Sequence, residues 1–119
     1  MYFPQSVHSH NEANLMTYNT FTFKTEAQML LFRRIWEDNG TALFDKLKKK
    51  GCTRFCLNQI WNVKGTFKIS VLFEYESPNA FKQSQKELDN FTQNIIKDLQ
   101  AADPVIEASR NIVLQDLKI

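Results

Sequence analysis

The run Phe67-x-Ile69-x-Val71-x-Phe73-x-Tyr75 sets five apolar or aromatic side chains at alternate positions and stops at Ser77-Pro78. A period of two places all five on one side of a β-strand, so that side has to be buried under another layer. Ser77 then supplies the layer's first residue, because its hydroxyl can accept from an early helix N–H, and Pro78 at the first helical position has no N–H to lose. Phe81, Leu88, Phe91, Ile95, Ile96 and Leu99 follow as one stripe, which predicts a helix lying on the sheet and ending at Asp103-Pro104.

The flanking segments repeat this pattern. Met16 to Lys24 alternates Thr17, Asn19, Phe21 and Phe23 with Tyr18, Thr20 and Thr22 and predicts a first strand. Thr25 and Gln28 form a T-x-x-Q capping box that opens a first helix. Its apolar positions are read as Ala27, Leu30, Leu31, Ile35, Leu43 and Leu47, with Asn39-Gly40 expected to bend or interrupt it. Lys46, Lys48, Lys49 and Lys50 close that helix before a C-cap at Gly51; cations there complement the helix dipole, so the run is read as a solvated end rather than a phosphate site.

Two strands, Cys52–Asn62 and Thr66–Glu76, come next. A loop of Val63-Lys64-Gly65, with glycine in the left-handed bulge position, sets Trp61 opposite Phe67, Gln59 opposite Ile69, Leu57 opposite Val71 and Phe55 opposite Phe73. A two-residue turn would mix apolar and polar rows on one face. Val105 to Leu117 is read as the last strand, with Ile106, Ala108, Ile112 and Leu114 prominent. Residues 1–15 carry no period and are assigned to an N-terminal tail or arm, leaving residues 16–119 as a single domain.

A four-stranded antiparallel sheet with two helices on one face is the ferredoxin-like βαββαβ arrangement, an α+β fold. The opposite face is read as Tyr18, Thr20, Thr22, Cys52, Arg54, Cys56, Asn58, Ile60, Lys68, Ser70, Leu72 and Glu74. That mixture holds enough apolar and small residues to be covered by a second copy, so a homodimer packed through this face is expected.

Composition narrows the function. With 119 residues, 43% hydrophobic and 24% charged, the chain suits one globular domain, and a net charge of +2 offers no concentrated basic face for nucleic acid. No stretch approaches a membrane span, and Met1 to Leu15 lacks the basic start and apolar centre of a signal peptide, so a cytoplasmic protein with no membrane partner is expected. Cys52 and Cys56, about 13 Å apart along a strand, are too far for a disulfide and are read as reduced thiols. His8 and His10 are too few for a closed metal site, and three glycines form no phosphate loop, so no metal and no cofactor are expected.

The segments Tyr18-Asn19-Thr20-Phe21-Thr22-Phe23-Lys24 and Phe67 to Phe81 resemble the dimeric α/β-barrel superfamily, in particular its antibiotic-biosynthesis-monooxygenase-like branch, which includes quinone-forming and heme-degrading oxygenases. The resemblance spans residues 16–117. It implies two sheets facing each other across a homodimer to close an α/β barrel, and in each subunit a cavity between sheet and helices for a planar or hydrophobic molecule. Asn19 matches the strand-one asparagine of the heme-degrading members, and Tyr75 stands where they carry a tryptophan at the end of strand three. Their heme-ligating histidine has no counterpart, because Gln83, Ser84 and Gln85 occupy that neighbourhood, which argues against heme degradation.

The resemblance then implies cofactor-independent oxygenation of a small aromatic or quinol substrate. On that reading Asn19 donates to a substrate oxygen, Tyr75 hydrogen-bonds or stacks, and Trp36, Phe44 and Trp61 wall the pocket. No base completes the set. The alternative is a non-enzymatic binder or sensor of a small apolar ligand, with Asn19 bonded to backbone and the aromatics serving as core. An RNA-binding module is a remote third reading: Lys64-Gly65-Thr66-Phe67 begins like the third-strand signature of such modules, but Thr66 and Lys68 stand where stacking aromatics belong.

Overall fold

The strand Phe67–Tyr75 lies inside the sheet with its aromatic row turned toward the helices. The computed structural model describes residues 14–119. The elements run β1 (Leu15–Phe23), α1 (Glu26–Lys48), β2 (Cys52–Ile60), β3 (Phe67–Tyr75), α2 (Pro78–Asn94), α3 (Ile96–Ala102) and β4 (Val105–Ile112). The sheet is antiparallel with strand order β2-β3-β1-β4, and the fold is ferredoxin-like. The assignment of residues 1–13 to a tail, together with His8 and His10, lies outside the described residues. Leu15 does not belong to a tail: it opens β1, buried opposite Tyr75 on one side and Ile112 on the other.

The hairpin register is the expected one from Phe55↔Phe73 through Leu57↔Val71 to Gln59↔Ile69, and Gly65 takes φ +76°. Pairing stops at Ile60, however, and Trp61 is 87% exposed instead of facing Phe67. A register shift between Cys52 and Arg54 corrects a second expectation. The extra residue, Thr53, turns Cys52 to the helix side opposite Tyr75, while Cys56 stays on the outer side of the sheet. The two free thiols therefore lie on opposite faces.

α1 is continuous through Asn39-Gly40, where a bend or interruption was expected. Gly40 is there for clearance, since a Cβ would lie 3.0 Å from Cε2 of Phe55. The buried stripe of α1 is Met29, Phe32, Ile35, Trp36, Gly40, Leu43 and Leu47; Ala27 and Leu30 point outward and Leu31 is half-buried. Sequence spacing alone had taken the wrong phase in the first two turns, because leucines at 30 and 31 outweigh a methionine and a phenylalanine in a simple apolar pattern.

Both predicted N-caps form, with Thr25 accepting from Gln28 N–H at 3.2 Å and Ser77 from Ala80 N–H at 3.1 Å. The second helical segment is divided at Ile95 (φ −105°, ψ 10°), while hydrogen bonds from Ile95 to Phe91 and from Leu99 to Ile95 keep the two pieces in one line of pairing. Asp103, left-handed at φ 48°, ends it by donating its N–H to the Leu99 carbonyl. β4 stops at Ile112, five residues short of the expected Leu117. No helix among the described residues is long and apolar enough to cross a membrane.

Candidate functional site

The core is unevenly filled, and the unevenness makes a cavity. α1 drives Phe32 and Trp36 onto the β1–β3 side, where Phe32 meets Phe21 at 4.5 Å between ring centres and Trp36 meets Phe73 at 6.0 Å. Toward β4 the same sheet face carries smaller residues. Asn19 lies between Val71 and Ala108, and Thr17 between Phe73 and Arg110. α2 and α3 bridge this hollow with Phe81, Gln85, Leu88, Phe91 and Leu99, leaving a cavity of about 300 Å³, within the size range of small-molecule sites.

Asn19, Tyr75 and Trp36 all line this cavity. Phe44 does not: it is half-buried farther along α1, with Lys48 Nζ 5.8 Å from its ring centre. Trp61 does not either, because β2 ends before it and leaves it at the exposed hairpin. Those two wall positions are therefore corrected.

Two polar atoms beside the cavity are buried without a hydrogen-bond partner, the indole N–H of Trp36 and the hydroxyl of Tyr75. A buried donor without a partner is costly and an acceptor placed against it would be bound well. Tyr75 has no exposed surface, so its hydroxyl meets a ligand only if the wall beside it yields. Burial, and then the adjacent Cys52, push the Tyr75 phenol well above its ordinary pKa, which keeps it a neutral hydrogen-bond donor at neutral pH. Burial likewise pushes the Cys52 thiol up to about 11, over the opposing effect of a hydrogen bond with the Arg54 backbone, so Cys52 is no thiolate nucleophile at neutral pH.

Arg110, Gln85 and Thr17 also line the cavity and escaped the reading of the sequence. For Arg110 a signal existed. Ile106, Ala108, Arg110 and Ile112 form one alternate row of β4, and Arg110 is its sole charged member, just as Thr17 and Asn19 are the polar members of the row of β1. Gln85 donates its amide N–H to the Phe81 carbonyl at 3.1 Å, which anchors the side chain along α2. Among the described residues no group of three or more His, Cys, Asp or Glu side chains could hold a metal ion.

Sheet order, helix placement and cavity together define a ferredoxin-like α+β domain with a small, mostly apolar pocket between its layers. A family model described as "Domain of unknown function (DUF6974)" matches residues 12–113, and the chain belongs to that family. A search of curated proteins found no match. Among solved structures, the chain is similar to a dimeric ferredoxin-like protein from an uncultured marine organism, at 21% identity and a TM-score of 0.81, covering 89% of this chain and 100% of the other. It is also similar to a mutant form of SnoaB, a cofactor-independent oxygenase from Streptomyces nogalater, at 15% identity and a TM-score of 0.58, over 88% of this chain and 97% of the other. A Bacillus cereus protein named for the antibiotic biosynthesis monooxygenases gives 15% identity and a TM-score of 0.58, over 90% and 99%. At these identities the likeness is one of fold, and the fold resembles that of the dimeric ferredoxin-like and antibiotic-biosynthesis-monooxygenase-like proteins.

Proposed function

We propose that the protein is a homodimer whose cavity binds a small aromatic or quinol molecule and oxygenates it without a cofactor. The observation that carries this reading is the cavity itself, an aromatic-walled space holding Asn19 beside the unpaired donors of Trp36 and Tyr75. A phenol needs its developing anion stabilised before it can react with O2, and amide or hydroxyl donors in a dry site do that. The sum is one phenol and one O2 giving one quinone and one water: the ring C–H and the O–H are lost, one oxygen atom stays on the ring, and O2 is the oxidant. Asn19→Ala is expected to lower turnover of an identified phenolic substrate by at least about tenfold, measured as product formed under air. Unchanged turnover would remove Asn19 from the reaction.

A binder or sensor of the same ligand class is the second reading. It is favoured by the lining, in which, among the described residues, no carboxylate or imidazole stands ready as a general base. Tight binding without product under air would select it.

The dimer reading draws support from the outer sheet face, where half-buried Leu72 lies beside Tyr18, which is 39% exposed. Native mass spectrometry is expected to show a dimer for the wild type and a shift to monomer for Leu72→Glu, since a carboxylate buried without a partner opposes association. A monomeric wild type would overturn it.

A further inference from the structure

We infer that the cavity selects an aromatic anion, a ring system bearing a carboxylate or an ionised phenol, and that Arg110 is the residue that reads the charge. The inference rests on the cavity being the ligand site and adds the charge of what enters it. Among the described residues that line the cavity, Arg110 is the single charged side chain, and no acidic residue lines the same space. Its guanidinium makes no ion pair with a described carboxylate. It is held in place all the same, 5.0 Å above the ring centre of Phe81 at the start of α2.

The register supplies the rest of the geometry. Arg110 pairs with Thr17 and Asn19 pairs with Ala108, so Arg110 and Asn19 are diagonal neighbours on one sheet face, roughly 7–8 Å apart. Between them lie only the threonine and alanine side chains. An anionic group seated over that shallow spot meets the guanidinium on one side and the Asn19 amide on the other, while its ring extends toward Trp36 and Phe91. Arg110 itself is exposed, which leaves it at the entrance rather than in the core. A cation at an apolar entrance attracts anions and repels cations, and a charge-assisted hydrogen bond there is stronger than one to a neutral group.

The test compares 2-naphthoate with 2-naphthamide, which share ring and shape and differ in charge, by isothermal titration of the full chain. The wild type is expected to bind the naphthoate about tenfold or more tightly than the amide. Arg110→Met, which keeps an unbranched side chain over Phe81, should bring that ratio close to one with the amide's affinity retained, and Arg110→Lys should restore part of the preference. Equal binding of the two probes by the wild type, or a preference that survives Arg110→Met, overturns the inference and leaves the cavity as a neutral aromatic site. Binding of neither probe overturns the reading of the cavity as a ligand site, and the inference with it.

Discussion

Phe32→Ala is expected to remove about 3–5 kcal/mol of stability. Phe32 is 1% exposed and packs its ring against Phe21 at 4.5 Å, Phe23 at 5.1 Å and Trp36 at 6.2 Å between centres, joining α1 to β1. Alanine forfeits the transfer of the ring out of water and leaves a void that the surrounding aromatics cannot close without moving. Domains of this kind have roughly 5–15 kcal/mol in total, so the variant should stand near the edge of unfolding. Urea titration is the measurement, and the midpoint should fall with little change in slope. A loss below about 1 kcal/mol would mean that Trp36 and Phe21 collapse into the space, and the cavity beside Phe32 would then shrink as well.

Gly51→Ala is expected to cost about 2–4 kcal/mol, from two causes that act together. The backbone there has φ +100°, outside what an L side chain adopts at ease, and an added Cβ would lie 2.7 Å from Cβ of Ala80 and 2.9 Å from Oε1 of Glu76. The position also ties two turns together, because the Gly51 carbonyl accepts from Glu76 N–H at 2.9 Å. Gly65 is the internal comparison. It has φ +76° but open space around its Cβ, so Gly65→Ala should carry the conformational cost alone, about 1–2 kcal/mol. Thermal or urea melts of the two variants should therefore differ; equal losses would show that crowding at Ala80 contributes nothing.

The contrast between the two glycines illustrates what a sequence can carry. Both looked like turn residues, and both do adopt positive φ, because turn chemistry is decided within a few neighbouring residues. Only the fold reveals that one of them also touches the start of α2. Gly40 makes the same point from the other side: a glycine at a helix midpoint looked like a bend or interruption, and it serves instead to let α1 approach Phe55.

The candidate site was legible to the extent that it depended on strand alternation. Asn19 and Tyr75 could be assigned to the helix-facing side because a period of two leaves no choice of face. The same reasoning extended to β4 would have found Arg110. Phe44 and Trp61 were misjudged for a different reason: an aromatic side chain on a helix or at a strand end has no obligatory direction until the neighbouring element is in place.

By itself, then, the sequence determined the order of the elements, the caps that start both long helices, the register of the β2–β3 hairpin and the buried face of β1 and β3. These follow from periods and turns, which are local. The tertiary structure alone decided the phase of α1, the bulge at Thr53 that turns Cys52 inward, and the cavity. A cavity is a mismatch of volumes between layers: small residues on β1 and β4 meet helices that bridge them without filling the space, and residues from three strands and three helices must be assembled before the gap exists.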